Sequence, residues 1–380
     1  MSRSVYITRL SSFLPNEPVV NDEIESILGL INEQPSKAKP LILRNNQIAK
    51  RYYALDKKGN RTHTNAELTS QAISKLFDSN FSKENIQILS CGTTSPDQIL
   101  PSHAAMVHGA VGGNPVEINS ATGACSAGIQ ALKFGYLSIK SGDAENAVCT
   151  GSERFSRWML AKYFKEEAAK VAQLEGNDGM IAFEKDFLRF MLSDGAGAAL
   201  LTSKPNESGL SLRIEWIEQR SFAHELPACM YAGATKNGTG EIVGWSDLDQ
   251  DKWASDSVFA IKQDTKLLGE FIVKKGGELL RKIVDEKGFD VTKITYFLPH
   301  LSSQYFGPRI EKELSLLGMD IPASKWFTNL SWVGNVGAGS PYLMLEELYH
   351  SGKLQKGDTL LMMIPESARF NYAYVLLTAV

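Results

Sequence analysis

Short runs of apolar residues alternate along the chain with longer stretches in which apolar positions recur every three or four residues. The short runs read as buried strands and the longer ones as amphipathic helices. SVYIT (4–8) opens the series as a strand rich in β-branched and aromatic residues. IQILSCGTT (86–94), VEINSA (116–121) and NAVCTG (146–151) repeat the signal, and another strand follows the Gly/Ala-rich turn in LSDGAGAALLTSKP (192–205). Helical spacing is predicted near 22–32, over 64–78 behind the cap candidate Thr64, over 103–111, and from Ser126 to Lys140. Gly123 ends the strand before that last helix, and SGD (141–143) stops the helix. Further on, LSLRIEWIE (210–218), ITYFLPH (294–300), TLLMMI (359–364) and YAYVLLT (372–378) predict strands. Residues 255–287 predict one long helix or two, and 305–317 and 339–352 one helix each.

Strands alternating with helices predict an α/β fold. No clean sequence repeat is present, yet residues 1–205 and 206–380 share an order of elements. No low-complexity linker divides them, so two halves packed as one rigid body are expected. Two stretches depart from the alternation. LRNNQIAKRYYALDKKGNRTH (43–63) is a polar, basic segment with an exposed turn at Gly59 and Asn60. Residues 156–186 read as an inserted helical excursion carrying charges and aromatics. A lid or a cover for a partner subunit fits that excursion, and so does a solvated surface helix.

Composition narrows the class. The 380 residues suit two packed halves better than one ordinary core. Hydrophobic residues make up 43% and charged ones 22%, with a net charge of −3, so no global basic surface points to nucleic acid. No apolar run approaches the roughly 18 residues that span a bilayer. The opening residues lack the long apolar core of a signal peptide. Cys91, Cys125, Cys149 and Cys229 fit neither a zinc knuckle nor a CxxC redox pair, so no metal is implied. A reduced, cytoplasmic protein with free thiols is expected.

Three places could carry chemistry. In NSATGACSAGIQALK (119–133), Cys125 stands among small residues between a strand and a helix. Helix N-termini present unpaired N–H groups and partial positive charge, which favour thiolate and lower a cysteine pKa. Such a thiolate attacks thioester carbonyls; a small buried thiol at a crowded crossing fits the same stretch equally well. His300 ends an apolar strand, where ligand crevices open in α/β sheets, although a histidine there also pairs with backbone carbonyls. His350, late in its helix, reads as a dipole partner. Asn335 lies among Gly334, Gly337 and Gly339, and its amide could donate to an oxyanion. By itself that stretch is better read as a turn.

Taken together, the pieces resemble the β-ketoacyl-acyl-carrier-protein synthase III family of the thiolase superfamily. The matching stretches are TTSPDQILPSHA (93–104), ATGACSAGIQAL (121–132), GSERFSR (151–157), LSDGAGAALL (192–201), FLPHLSSQ (297–304) and GNVGAGSPYLMLEEL (334–348), in family order over nearly the whole chain. The resemblance implies an α/β, thiolase-like, five-layered αβαβα fold of two similar halves, and a homodimer. It implies a Cys-His-Asn site in which Cys125 carries an acyl group while His300 and Asn335 bind the carbonyl of a second thioester. Backbone N–H groups of Cys125 and Ala368 would form the other oxyanion hole. Leu100 would cap the acyl tunnel of the partner subunit, and Arg44 would contact a coenzyme A or phosphopantetheine phosphate. The substrates would be acyl thioesters on coenzyme A or acyl carrier protein, with no resident cofactor.

The chain departs from the housekeeping pattern in three places. Leu301-Ser302-Ser303 follows His300, PESARFNYA (365–373) replaces a glycine-rich loop, and Pro40 stands near where an aromatic residue would stack on adenine. These departures point to specialised metabolism, with ketosynthases that form dialkylresorcinol or cyclohexanedione precursors as the branch it resembles. The alternatives are a housekeeping initiation synthase or a catalytically silent dimer partner. A papain-like protease lacks its tryptophan after the cysteine here, and a redox protein would want a resolving thiol nearer than Cys149.

Overall fold

The computed structural model describes residues 3–31, 33–166 and 186–380. Nine strands run in one hydrogen-bonded series: β1 (Tyr6–Phe13), β2 (Ile88–Thr93), β3 (Glu117–Thr122), β4 (Asn146–Glu153), β5 (Gly195–Thr202), β6 (Leu212–Ser221), β7 (Tyr296–Pro299), β8 (Thr359–Glu366) and β9 (Asn371–Ala379). Their spatial order is β7-β8-β9-β6-β1-β5-β4-β2-β3. Six helices matter most: α1 (Asn65–Ser74), α2 (His103–Val111), α3 (Ala127–Ser141), α4 (Thr265–Lys287), α5 (Gly307–Leu316) and α6 (Ser340–His350).

The series is a repeat joined at its middle. β1 meets β6 through only two residue pairs, Tyr6 with Arg213 and Ile7 with Leu212. Outward from that join, β1-β5-β4 is antiparallel and β4-β2-β3 parallel. On the other side, β6-β9-β8 is antiparallel and β8-β7 parallel. A single parallel bridge from Phe297 to Trp326 stands where the second side would carry its own edge strand. Each side therefore reads strand, helix, strand, helix, edge, helix, then two strands. This is the thiolase-like α/β architecture, with two half-sheets, a helical layer between them and helices outside.

The middle layer is α3 and α6, buried along most of their lengths. Ile129, Leu132 and Tyr136 of α3 join Tyr342, Met344 and Leu345 of α6 and residues of both half-sheets in one apolar cluster. Continuous apolar runs at β4, β5 and β8 follow from burial on both faces. The Tyr342 hydroxyl donates to the Gly128 carbonyl at 2.8 Å, tying α6 to α3. Gly142 stops α3 in the left-handed region at φ 89°. Thr64 opens α1 with a capping box, its hydroxyl accepting from the Glu67 N–H while the Glu67 carboxylate accepts from the Thr64 N–H.

Several expectations change. The basic segment is helical at its start, because Lys39–Asn46 forms a helix that contains Arg44 and has Pro40 in its first turn. The stretch 255–287 holds one long helix, α4 (Thr265–Lys287), preceded by the end of a short helix, Gln250–Ser255, and by the last of the short ladders between 230 and 263. His350 does not act on its own helix end alone, since its Nε2 lies 3.1 Å from the Leu10 carbonyl on β1. Of the excursion at 156–186, the first part is two 3-10 turns, Phe155–Met159 and Ala161–Tyr163; residues 167–185 lie outside the described residues. Among the described residues no helix is long and apolar enough to cross a membrane. All four cysteines are unbridged and buried. On the open edge of the series, Ile118 of β3 is 41% exposed, and Ile99, Leu100 and Met106 are exposed as well.

Candidate active site

Strand β3 delivers Cys125 to the start of α3. The chain turns after Thr122, the Ala127 N–H closes onto the Ala124 carbonyl at 2.9 Å, and Ser126 stands at the helix N-cap position with no capping bond from its side chain. Cys125 is 8% exposed. His300 arrives from the other half at the end of β7. Its N–H donates to the Met363 carbonyl at 2.8 Å, which extends the β7–β8 pairing by one residue and fixes the backbone from which the imidazole projects. Asn335 is held by its backbone: its N–H donates to the Met191 carbonyl at 3.1 Å and its carbonyl accepts from the Ser193 N–H at 2.9 Å. The side-chain Oδ1 accepts from the Gly337 N–H at 2.9 Å, which commits the amide oxygen and leaves Nδ2 as the donor. Gly337 sits at φ 49°, and a Cβ there would press on Phe155 and the Glu153 carboxylate.

These three side chains line one cleft. Its remaining walls are largely apolar, with Met230, Leu268, Ile272, Val273, Phe306 and Ile310. Among the described residues, two buried polar atoms of its lining lack hydrogen-bond partners, His300 Nε2 and Gln263 Oε1. Burial lowers the His300 pKa to about 4, so the imidazole is neutral at physiological pH.

The thiol corrects an expectation. Burial, then the carboxylates of Glu366 and Glu153, push the Cys125 pKa well above its ordinary value. Desolvation and two nearby carboxylates outweigh the helix N-terminus, and the resting group is a thiol. Glu366 ends β8 and faces away from the cleft, which its neighbours Pro365 and Ser367 line. Its carboxylate accepts from the Ser126 hydroxyl at 2.5 Å and from the Ala124 and Arg369 N–H groups. Glu153, wholly buried, accepts from Thr94, Ser95 and the Ala338 N–H, and burial raises its pKa to about 7. It links the end of β4 to the glycine-rich loop that carries Asn335.

The other expected site residues stand apart from the cleft. Ala368 lies in the β8–β9 turn, and its carbonyl accepts from the Cys229 and Met230 N–H groups at 2.8 and 3.2 Å, while the preceding Ser367 lines the cleft. Leu100 is 82% exposed. Arg44 is exposed on the Lys39–Asn46 helix. Ile42 and Asn45 of that helix line a second cavity, which shares Leu268 and Phe306 with the first. Sequence reasoning missed Gln263, Glu366 and Glu153. The replaced glycine-rich loop was a signal for Glu366, and GSERFSR for Glu153; nothing marked Gln263.

Comparison with known proteins agrees with this geometry. A β-ketoacyl synthase N-terminal domain matches residues 60–206, which carry Cys125. A 3-oxoacyl-[acyl-carrier-protein] synthase III C-terminal domain matches residues 284–364, which carry His300 and Asn335. The β-ketoacyl-[acyl-carrier-protein] synthase III of Clostridium perfringens is 24% identical over 351 residues, 92% of each chain. A third synthase III of Streptomyces coelicolor is 25% identical, covering 95% of this chain and 93% of its own. Among solved structures, the tetronic acid condensing enzyme AbyA1 superposes with a TM-score of 0.75 at 20% identity, covering 98% of this chain and 99% of its own. Xanthomonas campestris OleA, solved with bound lauric acid and lauroyl-CoA, gives 0.74 at 18% identity over all of both chains. With one family domain falling on each half, in register with the residues that converge on the cleft, the chain belongs to the β-ketoacyl-acyl-carrier-protein synthase III-like family of condensing enzymes.

Proposed function

We propose that the protein joins two acyl thioesters through an acyl-Cys125 intermediate. The observation that carries this reading is the convergence of Cys125, His300 and Asn335, from two halves, on one cleft in which His300 Nε2 is buried without a partner among the described residues. In the first step the Cys125 sulfur attacks the thioester carbonyl. A new S–acyl bond forms, the old one breaks, and the thiol proton ends on the departing carrier thiol. In the second step a carbanion, left by loss of CO₂ or of an α-proton from the second thioester, attacks the acyl carbonyl; the S–acyl bond breaks, and the Cys125 thiolate takes up a proton, from water when CO₂ leaves or as the equivalent of the α-proton when that is lost. His300 Nε2 and Asn335 Nδ2 donate to the enolate oxygen of that second thioester. Neutral donors suit this task, since they stabilise the enolate without protonating its carbon. Nucleophile and donors are all side chains of this protein, so the scheme uses no resident cofactor.

Specialised lipid or polyketide assembly, of the dialkylresorcinol-precursor kind, suits the site better than housekeeping initiation. The apolar walls suit a fatty acyl chain, and a carboxylate, Glu366, stands behind the nucleophile in the segment that replaces the glycine-rich loop. The lauroyl-CoA bound by OleA is an acyl thioester, the substrate class proposed here. The second cavity, beside Arg44, offers a route for a pantetheine arm from coenzyme A or acyl carrier protein. The open β3 edge, with Ile118 exposed on it, supports a homodimer that pairs these edges.

Intact-mass measurement after incubation with acyl-CoA tests the reading. An acyl adduct is expected on the wild type and none on Cys125→Ala. His300→Ala should still acylate and should condense about 10²–10³-fold more slowly. Failure of His300→Ala to acylate would overturn the role given to His300.

A further inference from the structure

We infer that Gln263 is a specificity-determining residue of the cleft, its side-chain carbonyl receiving a hydrogen bond from an O–H or N–H group of the thioester substrate. The inference rests on the reading of the cleft as an acyl-thioester site. Gln263 lies in a two-residue strand, Lys262–Gln263, paired antiparallel with Met230–Tyr231. Just after it, the Asp264 N–H donates to the Cys229 carbonyl at 2.8 Å, and the Asp264 carboxylate caps α4 by accepting from the Leu267 N–H at 2.9 Å. The backbone is thus pinned on both sides, and the side chain has little room to withdraw.

That side chain is 3% exposed and lines the same cleft as Cys125, His300 and Asn335. Among the described residues its Oε1 has no hydrogen-bond partner. The wall around it is apolar, with Met230, Leu268, Ile272 and Val273. A leucine or methionine would satisfy such a wall at no cost, whereas a buried amide oxygen without a donor is destabilising. The missing donor is then a group that arrives with the substrate. An unsubstituted alkyl chain has none. A hydroxylated acyl chain carries an O–H, and a pantetheine arm carries amide N–H groups. Both supply the same chemistry to Oε1. A site built to pair a polar group discriminates against an analogue that lacks it far more strongly than an apolar wall does.

The test compares wild type with Gln263→Met, which keeps the length of the side chain, and with Gln263→Leu. The rate of Cys125 acylation is followed by intact mass with four probes: octanoyl-CoA, 3-hydroxyoctanoyl-CoA, and the octanoyl thioesters of N-acetylcysteamine and of butanethiol. In wild type at least one donor-bearing probe should beat its donor-free counterpart by about tenfold or more. Both variants should bring that ratio close to one. Collapse of the hydroxyl ratio places the donor on the acyl chain; collapse of the N-acetylcysteamine ratio places it on the arm. Variants that acylate with both ratios unchanged overturn the inference and leave the proposed function standing. Folded variants that lose acylation with all four probes also overturn it, because a recognition group alters ratios and not the chemistry. A wild type that acylates with none of them sinks the acyl-enzyme reading, and this inference with it.

Discussion

At the scale of single residues, the site is governed by what surrounds each polar atom. Cys125 stands at the helix start that ordinarily acidifies a thiol, yet burial and the carboxylates of Glu366 and Glu153 hold it protonated. The carboxylate of Glu366 is one bond network away, through the Ser126 hydroxyl. A negative charge there disfavours thiolate, so removing it lowers the thiol pKa. Glu366→Gln keeps the hydrogen-bonding shape and should move the pH profile of iodoacetamide alkylation at Cys125 downward by about one unit. An unchanged profile, or one shifted upward, would show that desolvation alone sets the thiol. Much of this was legible in the sequence: Cys125, His300 and Asn335 were each visible as residues of the right kind at strand ends and glycine turns. The acidity of Cys125 and His300 was not, because it depends first on burial in the assembled cleft and, for Cys125, on the carboxylates of Glu366 and Glu153 that the fold brings beside it. Gln263 left no trace, since an amide in a short ladder looks like any other polar loop residue until the walls around it are seen.

At the scale of elements, the glycines of the middle layer set how closely α3, β4 and the Asn335 loop approach. A Cβ on Gly128 of α3 or on Gly151 of β4 would overlap the Ala338 carbonyl, next to the loop that positions Asn335. Alanine is the better helix former, by roughly 1 kcal/mol in an exposed helix. Gly269 of α4 has open space where its Cβ would stand. Gly269→Ala should therefore raise stability by about 0.5–1 kcal/mol. Gly128→Ala should lower it by about 1–3 kcal/mol and slow condensation as well, because the overlap pushes on the Asn335 loop. Denaturant midpoints of the two variants check the pair, and equal signs would mean that α3 can shift without strain. The regular elements were readable because their apolar patterns are local. The Lys39–Asn46 helix was hidden by its basic and polar residues, and the ladders between 230 and 263 are too short for a two-residue alternation to register.

At the scale of the whole molecule, two copies of one strand-and-helix plan meet at the short β1–β6 join and differ at their outer edges. One edge ends in the isolated Phe297–Trp326 bridge, the other in the six-residue strand β3 with Ile118 exposed. Only two residues, Gly123 and Ala124, separate the end of β3 from Cys125. A second copy pairing along that edge would brace the very segment that presents the sulfur. Turnover per molecule should then depend on how much protein is in the tube: diluting the enzyme should lower its specific activity, and Ile118→Asp should show the same loss at higher concentrations. Activity per molecule that stays level down to nanomolar protein would mean that the sulfur is held in place by one chain alone.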